Sequence, residues 1–96
     1  MKEGKTRPIN ELVNQVLRQM GLEQKFKEYE VRQLWPEVVG QMIASRTKSL
    51  EVRDGRLFVT FTSAVVRNEI RMVKEGLAKA LNDRVGAEVI YEIIVK

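Results

Sequence analysis

Residues 47–62 read TKSLEVRDGRLFVTFT. Leu50 and Val52 alternate with Ser49, Glu51 and Arg53, and Leu57, Val59 and Phe61 alternate with Phe58, Thr60 and Thr62. Successive side chains on a strand point to opposite faces, so this period of two, with one clearly apolar face, marks two half-buried strands. Between them stands Asp54-Gly55, a pair favoured by the two-residue type I′ turn because both central residues need φ above zero. The stretch predicts a hairpin, Thr47 to Arg53 paired with Arg56 to Thr62.

Downstream, Ser63 is a good helix N-cap, since its hydroxyl can accept from an unpaired backbone N–H of the first turn. Val66, Ile70, Val73, Leu77 and Leu81 then recur at spacings of three and four and predict a core-facing helix to Val85, ended by Gly86. The last segment, Glu88 to Val95, is apolar at Val89, Ile90, Tyr91, Ile93, Ile94 and Val95. This predicts a strand covered on both faces, or by a helix and a partner. The intervening helix is long enough for a crossover, so a parallel pairing with the hairpin is allowed.

Upstream, residues 1–7 read as a flexible arm, and Pro8 suits a first helical turn. Ile9, Leu12, Val13, Val16, Leu17 and Met20 form an apolar helical stripe, and Gly21 stops it. A second helix carries Leu22, Phe26, Tyr29 and Leu34. Trp35-Pro36 is expected to break it, because the residue before a proline is pushed out of the helical region. Pro36 then opens a short piece with Val38, Val39, Met42 and Ile43 around Gly40, and Trp35 serves as a core anchor. The order α-α-β-β-α-β describes a single α+β domain over residues 8–96, a small three-stranded sheet packed on helices.

The chain has 96 residues, no cysteine and no histidine. These absences remove imidazole bases, thiolate nucleophiles and the usual zinc ligands. Serines 45, 49 and 63 have no histidine partner, and the carboxylates fall in turns or on expected solvent faces. Neither G-x-G-x-x-G nor G-x-x-x-x-G-K-[ST] occurs. The expectation is a non-enzyme with no catalytic residue, no cofactor, no metal and no small-molecule substrate. Nor is there an apolar run near the roughly 20 residues of a membrane span, or an apolar stretch after MKEGKTRPIN to make a signal peptide. The expected location is the cytoplasm.

Lysine and arginine total 17 against 13 acidic residues, a net charge of +4. The excess gathers in the hairpin region (Arg46, Lys48, Arg53, Arg56) and on the following helix, where Arg67, Arg71 and Lys74 fall at i, i+4 and i+7 and form one stripe. Such a patch suits phosphate contacts that do not read sequence; the alternative is a solvated face with Glu75 as intrahelical partner of Arg71. Phe58 points away from Leu57 and Val59. It stacks on a base if that face is open and joins the core if a helix covers it, and the core reading is favoured.

Leu34-Trp35, Val39-Gly40, Ile43-Ala44, Asp54-Gly55, Leu57-x-Val59, Ser63 opening a helix, and Leu81-Asn82 before Gly86 form an ordered set. From about Ile9 to the end, the chain resembles the DciA family of bacterial replicative-helicase loaders. The resemblance implies a domain similar to the K-homology (KH) fold and a part in loading the replicative helicase on DNA during replication. It also implies binding to single-stranded or forked DNA and to the helicase, without an ATPase site. The G-x-x-G clamp of RNA-binding KH modules is absent. Two alternatives stand beside it: a KH-like RNA-binding ribosome-assembly factor similar to ribosome-binding factor A, and a protein–protein interaction module or homodimer using the edge of the last strand.

Overall fold

The structure, a computed structural model, describes residues 2–96, with side chains described from Glu11 onward. In chain order it contains α1 (Lys2–Gln19), α2 (Glu23–Val39), a short α3 (Gln41–Ser45), β1 (Thr47–Arg53), β2 (Arg56–Phe61), α4 (Ala64–Val85) and β3 (Glu92–Val95). It is an α+β fold with a three-stranded sheet in the order β1-β2-β3.

The hairpin forms where the alternation predicts. β1 and β2 are antiparallel, with Leu50 opposite Val59 and Val52 opposite Leu57. Asp54 (φ 54) and Gly55 (φ 77) both adopt the left-handed conformation that the turn requires. A bulge between Thr47 and Ser49 shifts the register at the start of β1. β3 pairs with β2 in parallel, Leu57 opposite Ile93 and Val59 opposite Val95. α4 supplies the crossover. Ser63 caps it by accepting the Val66 N–H at 3.3 Å, and Gly86 closes it in the left-handed region, its N–H donating to the Asn82 carbonyl at 2.8 Å.

α2 and α4 pack on one side of the sheet. Leu57, Val59 and Phe61 from β2, Val52 from β1 and Ile93 from β3 meet Val31 and Trp35 of α2 and Val66, Ile70 and Leu81 of α4. Trp35 is the anchor, as expected. It is 2% exposed, its ring lies against Phe61, and its indole N–H donates to the Thr47 hydroxyl at 3.0 Å.

α1 begins at Lys2, and Met1 lies outside the described residues. Three expectations are corrected. Trp35-Pro36 does not break α2, which runs on to Val39 with Pro36 inside it. Close to the helix end, proline forfeits one backbone bond and little else. The break comes at Gly40 (φ 93, ψ 161), a backbone conformation essentially reserved for glycine.

Val73 is 55% exposed rather than core. The buried face of α4 is turned toward Ala78 and Asn82, which rotates Val73 outward. The last strand is only Glu92–Val95. Val89 and Ile90 are buried, but their N–H groups go to the Asn82 side chain and not to a sheet ladder. Among the described residues, helices cover one face of this strand; Tyr91 is 64% exposed and Ile94 is half-buried.

Candidate nucleic-acid interface

Because the helices occupy one side, the other face of the sheet is open. Strand alternation puts Ser49, Glu51 and Arg53 of β1, Arg56, Phe58 and Thr60 of β2, and Glu92 and Ile94 of β3 on that face. The register sets Phe58 between Glu51 on one neighbour and Ile94 on the other. Phe58 is therefore not a member of the core, contrary to the favoured expectation. It is half-buried among its neighbours in the middle of the uncovered face.

Two cations lie over this ring. The Arg53 guanidinium carbon is 4.4 Å from the ring centroid and the Lys96 ammonium 5.8 Å. A ring face attracts cations through its quadrupole, and the same face can take a base. The charges on the face are partly matched: Arg53 reaches Glu51 at 3.0 Å and Arg56 reaches Glu92 at 3.1 Å. Both pairs are exposed, where water screens them and a competing phosphate can exchange with the carboxylate at little cost.

The expected basic residues divide among three places. Arg53 and Arg56 stand at the hairpin end, where Arg56 also lies 5.1 Å from the centroid of the Tyr91 ring. Arg46 sits at the opposite end, its carbonyl accepting the Thr62 N–H just before α4 begins. Lys48 occupies the bulge in β1 and is exposed. Arg67, Arg71 and Lys74 run along the side of α4 that borders β3. The Arg67 side chain donates to the Lys96 carbonyl at 3.1 Å, and Lys74 shares a groove with Tyr91, Glu92 and Ile93. Among the described residues, Arg46, Lys48, Arg71 and Lys74 make no ion pair.

Arg67 and Lys96 join the α4 stripe to the sheet face, since Lys96 gives its carbonyl to Arg67 and its ammonium to Phe58. Lys96 was absent from the expected site. Its signal was available, because it continues the alternation of Glu92 and Ile94 on the uncovered face. Tyr91 was read as strand interior; its signal is weaker, since it depends on the hairpin turn folding back beside it. Trp35, Gly40, Asp54, Gly55 and Ser63 hold structural positions, in the core, at a helix break, in the turn and at a cap.

Among the described residues no group of histidine, cysteine or carboxylate side chains could hold a metal, and no helix is long and apolar enough to cross a membrane. What the fold defines is a small α+β domain with one helix-covered sheet face and one open face bordered by cations. The chain belongs to the DciA family: the model described as "Dna[CI] antecedent, DciA" matches residues 8–95. It is similar to a UPF0232 protein of Rhodococcus jostii, 30% identical over 90% of this chain and 46% of that protein. It is also similar to a UPF0232 protein of Corynebacterium glutamicum, 30% identical over 62% of this chain and 33% of that protein. The chain thus spans less than half the length of these curated relatives.

Proposed function

We propose that this chain is a non-catalytic, cytoplasmic adaptor that contacts DNA and assists loading of the replicative helicase during bacterial DNA replication. Membership of the DciA family over residues 8–95 supports the helicase role. The observation that carries the DNA reading is Phe58 at the centre of the uncovered sheet face, with Arg53 and Lys96 over its ring.

The mechanism follows from physical chemistry. Phosphates exchange for weakly held counterions along Arg67, Arg71 and Lys74 and around Arg46, Lys48, Arg53 and Arg56, which favours any nucleic acid and gives binding that falls steeply with salt. An unpaired base adds stacking on Phe58, which a duplex cannot offer because its bases are already stacked. Single-stranded or forked DNA is therefore the preferred form. The adaptor needs no ATP chemistry of its own; holding DNA and helicase together raises their effective concentration.

The test is a loading assay with the replicative helicase of the same organism and labelled single-stranded DNA, with and without the chain. Enhanced loading that is lost in the Arg67→Ala/Arg71→Ala/Lys74→Ala variant supports the proposal. No enhancement and no complex with the helicase refutes it, and co-sedimentation with small ribosomal subunits would then favour the RNA-assembly alternative.

A further inference from the structure

The two edges of the sheet differ. β1 is blunted by the bulge at Lys48, a common way of keeping a strand edge from pairing. β3 pairs with β2 in unbroken register, and among the described residues no strand lies on its other side. The Lys96 N–H donates to the Val59 carbonyl at 3.0 Å. Backbone groups turn to alternate sides along a strand, so Glu92 and Ile94 also face β2, and Ile93 and Val95 turn their N–H and C=O groups outward. The outer edge of β3 therefore offers donors and acceptors to an added strand.

Beside that edge, α4 and β3 enclose a groove of about 400 Å³ lined by Lys74, Glu75, Ala78, Tyr91, Glu92 and Ile93. Ala78 and Ile93 are buried beneath it and the Tyr91 ring is exposed beside it. The charges along the edge are ordered. At the Val95 end stand Lys96 and Arg67, whose side chain reaches the Lys96 carbonyl at 3.1 Å, with Arg71 one turn further along α4. Arg71 and Lys74 make no ion pair among the described residues. Carboxylates gather toward the other end: Glu75 in the groove, Glu92 held by Arg56 at 3.1 Å, and Asp83 and Glu88 where the groove runs on past Tyr91.

We infer that this edge takes an extended acidic segment of a protein partner as a further strand beside β3, with an apolar side chain in the groove between Ala78 and Tyr91 and carboxylates against Arg67 and Arg71. In this mode main-chain bonds supply affinity and side-chain pockets supply selectivity. Charge complementarity selects the occupant. A basic segment would be repelled by the α4 cations. A second copy of this chain, paired through the same edge, would set Arg67, Arg71 and Lys74 against themselves, because a two-fold axis brings like to like. The inference does not rest on the proposed function. Where DNA lies along α4 as proposed, the segment displaces it from Arg71 and leaves Phe58, on the opposite face of the sheet, free.

The experiment uses the full chain and two fluorescein-labelled peptides. In each, threonine alternates with a row of one leucine followed by glutamates, in forward order in one and reversed in the other, so that either strand direction is served. Fluorescence anisotropy measures binding, and amide hydrogen exchange read by NMR locates it. One of the two peptides is expected to bind and to slow exchange at the N–H groups of Ile93 and Val95, while those of Ile94 and Lys96, already turned to β2, change little. Arg71→Glu is expected to weaken binding about tenfold, since an attraction at an exposed site becomes a repulsion; circular dichroism verifies that the variant is folded. The same peptide with glutamine in place of glutamate is expected to lose most of its binding. Failure of both peptides to bind overturns the inference and leaves the α4 stripe to phosphates. Binding without protection at Ile93 and Val95 overturns it, as does binding that is indifferent to Arg71→Glu or to the glutamine exchange.

Discussion

Asn82 of α4 donates its side-chain amide to the carbonyl of Ile90 at 2.6 Å, and its oxygen accepts the N–H of Ile90 at 3.0 Å. The same oxygen accepts the Val89 N–H at 2.9 Å. Asn82 is 8% exposed, the one buried polar residue among those described. It replaces a strand ladder for the segment between α4 and β3 and so sets where β3 begins. Asn82→Ala is expected to cost about 3 kcal/mol, because it strands the N–H and the carbonyl of Ile90 in a dry site at roughly 1–3 kcal/mol per unmet group, less any water that enters, while the Val89 N–H keeps its bond to the Ala87 carbonyl at 3.0 Å. Chemical denaturation measures this. Asn82→Asp keeps the acceptor for both N–H groups but faces the Ile90 carbonyl with a second acceptor, and is expected to recover only part of the loss.

The hairpin turn is closed by a contact that reaches across the sequence. The Tyr91 N–H donates to the Gly55 carbonyl at 2.8 Å, and a methyl group built on Gly55 would stand 2.5 Å from the Tyr91 ring. Gly55→Ala therefore meets two penalties, the positive φ of 77° and the ring. The expected loss is about 2 kcal/mol, near the sum of a left-handed backbone cost and a modest overpacking cost. A double-mutant cycle with Tyr91→Ala separates the two: removing the ring is expected to relieve the steric part and leave the backbone part. If the cycle shows no coupling, the ring moves aside freely and the turn alone sets the cost.

Thr47 links the helices to the sheet. Its hydroxyl accepts from the Trp35 indole at 3.0 Å and donates to the Ile43 carbonyl at 3.0 Å. Thr47→Val keeps the shape and the strand preference but leaves the indole N–H without its partner. A loss of about 1–2 kcal/mol is expected, together with a changed Trp35 fluorescence. The signal is specific because Trp35 is the only tryptophan in the chain.

What the sequence made legible follows from the range over which each feature is determined. The hairpin, the Ser63 cap and the Gly86 stop are fixed by residues within a few positions of one another, and their residue types are selective. The strand end at Glu92 was not legible, because it depends on Asn82 meeting a segment seven and eight residues later in a buried setting. The fate of Phe58 was not legible either. An aromatic residue on the minor face of a strand looks the same whether a helix or water lies above it, and only the one-sided placement of α2 and α4 decides. Pro36 misled because its effect depends on how near the helix end lies. The basic residues were identifiable by type, but their grouping into a hairpin end, an α4 flank and a Lys96 link arises only when β3 pairs in parallel beside β2.

The two parts of the proposed DNA surface make separable predictions. Arg71 and Lys74 have no ionic partner among the described residues, so their contribution is expected to be electrostatic and indifferent to base pairing. Replacing both with alanine is expected to make the slope of log Kobs against log salt less negative by about 1.4 for single strands, at roughly 0.7 per phosphate contact. Affinity for duplex falls alongside. Phe58→Ala is expected to leave that slope unchanged and to cost roughly 1–3 kcal/mol on a single strand, the usual loss for one stacked base, with little effect on duplex. Phe58→Trp should keep the affinity, because a larger ring offers the same face. Fluorescence anisotropy with a labelled oligothymidine and its duplex counterpart, titrated at several salt concentrations, reads all four quantities. If Phe58→Ala weakens both forms equally, the ring supports Arg53 and Lys96 as a packing platform and does not stack on a base. If the slope is unmoved by the Arg71/Lys74 pair, the side of α4 is a solvated face and the DNA path lies on the sheet alone.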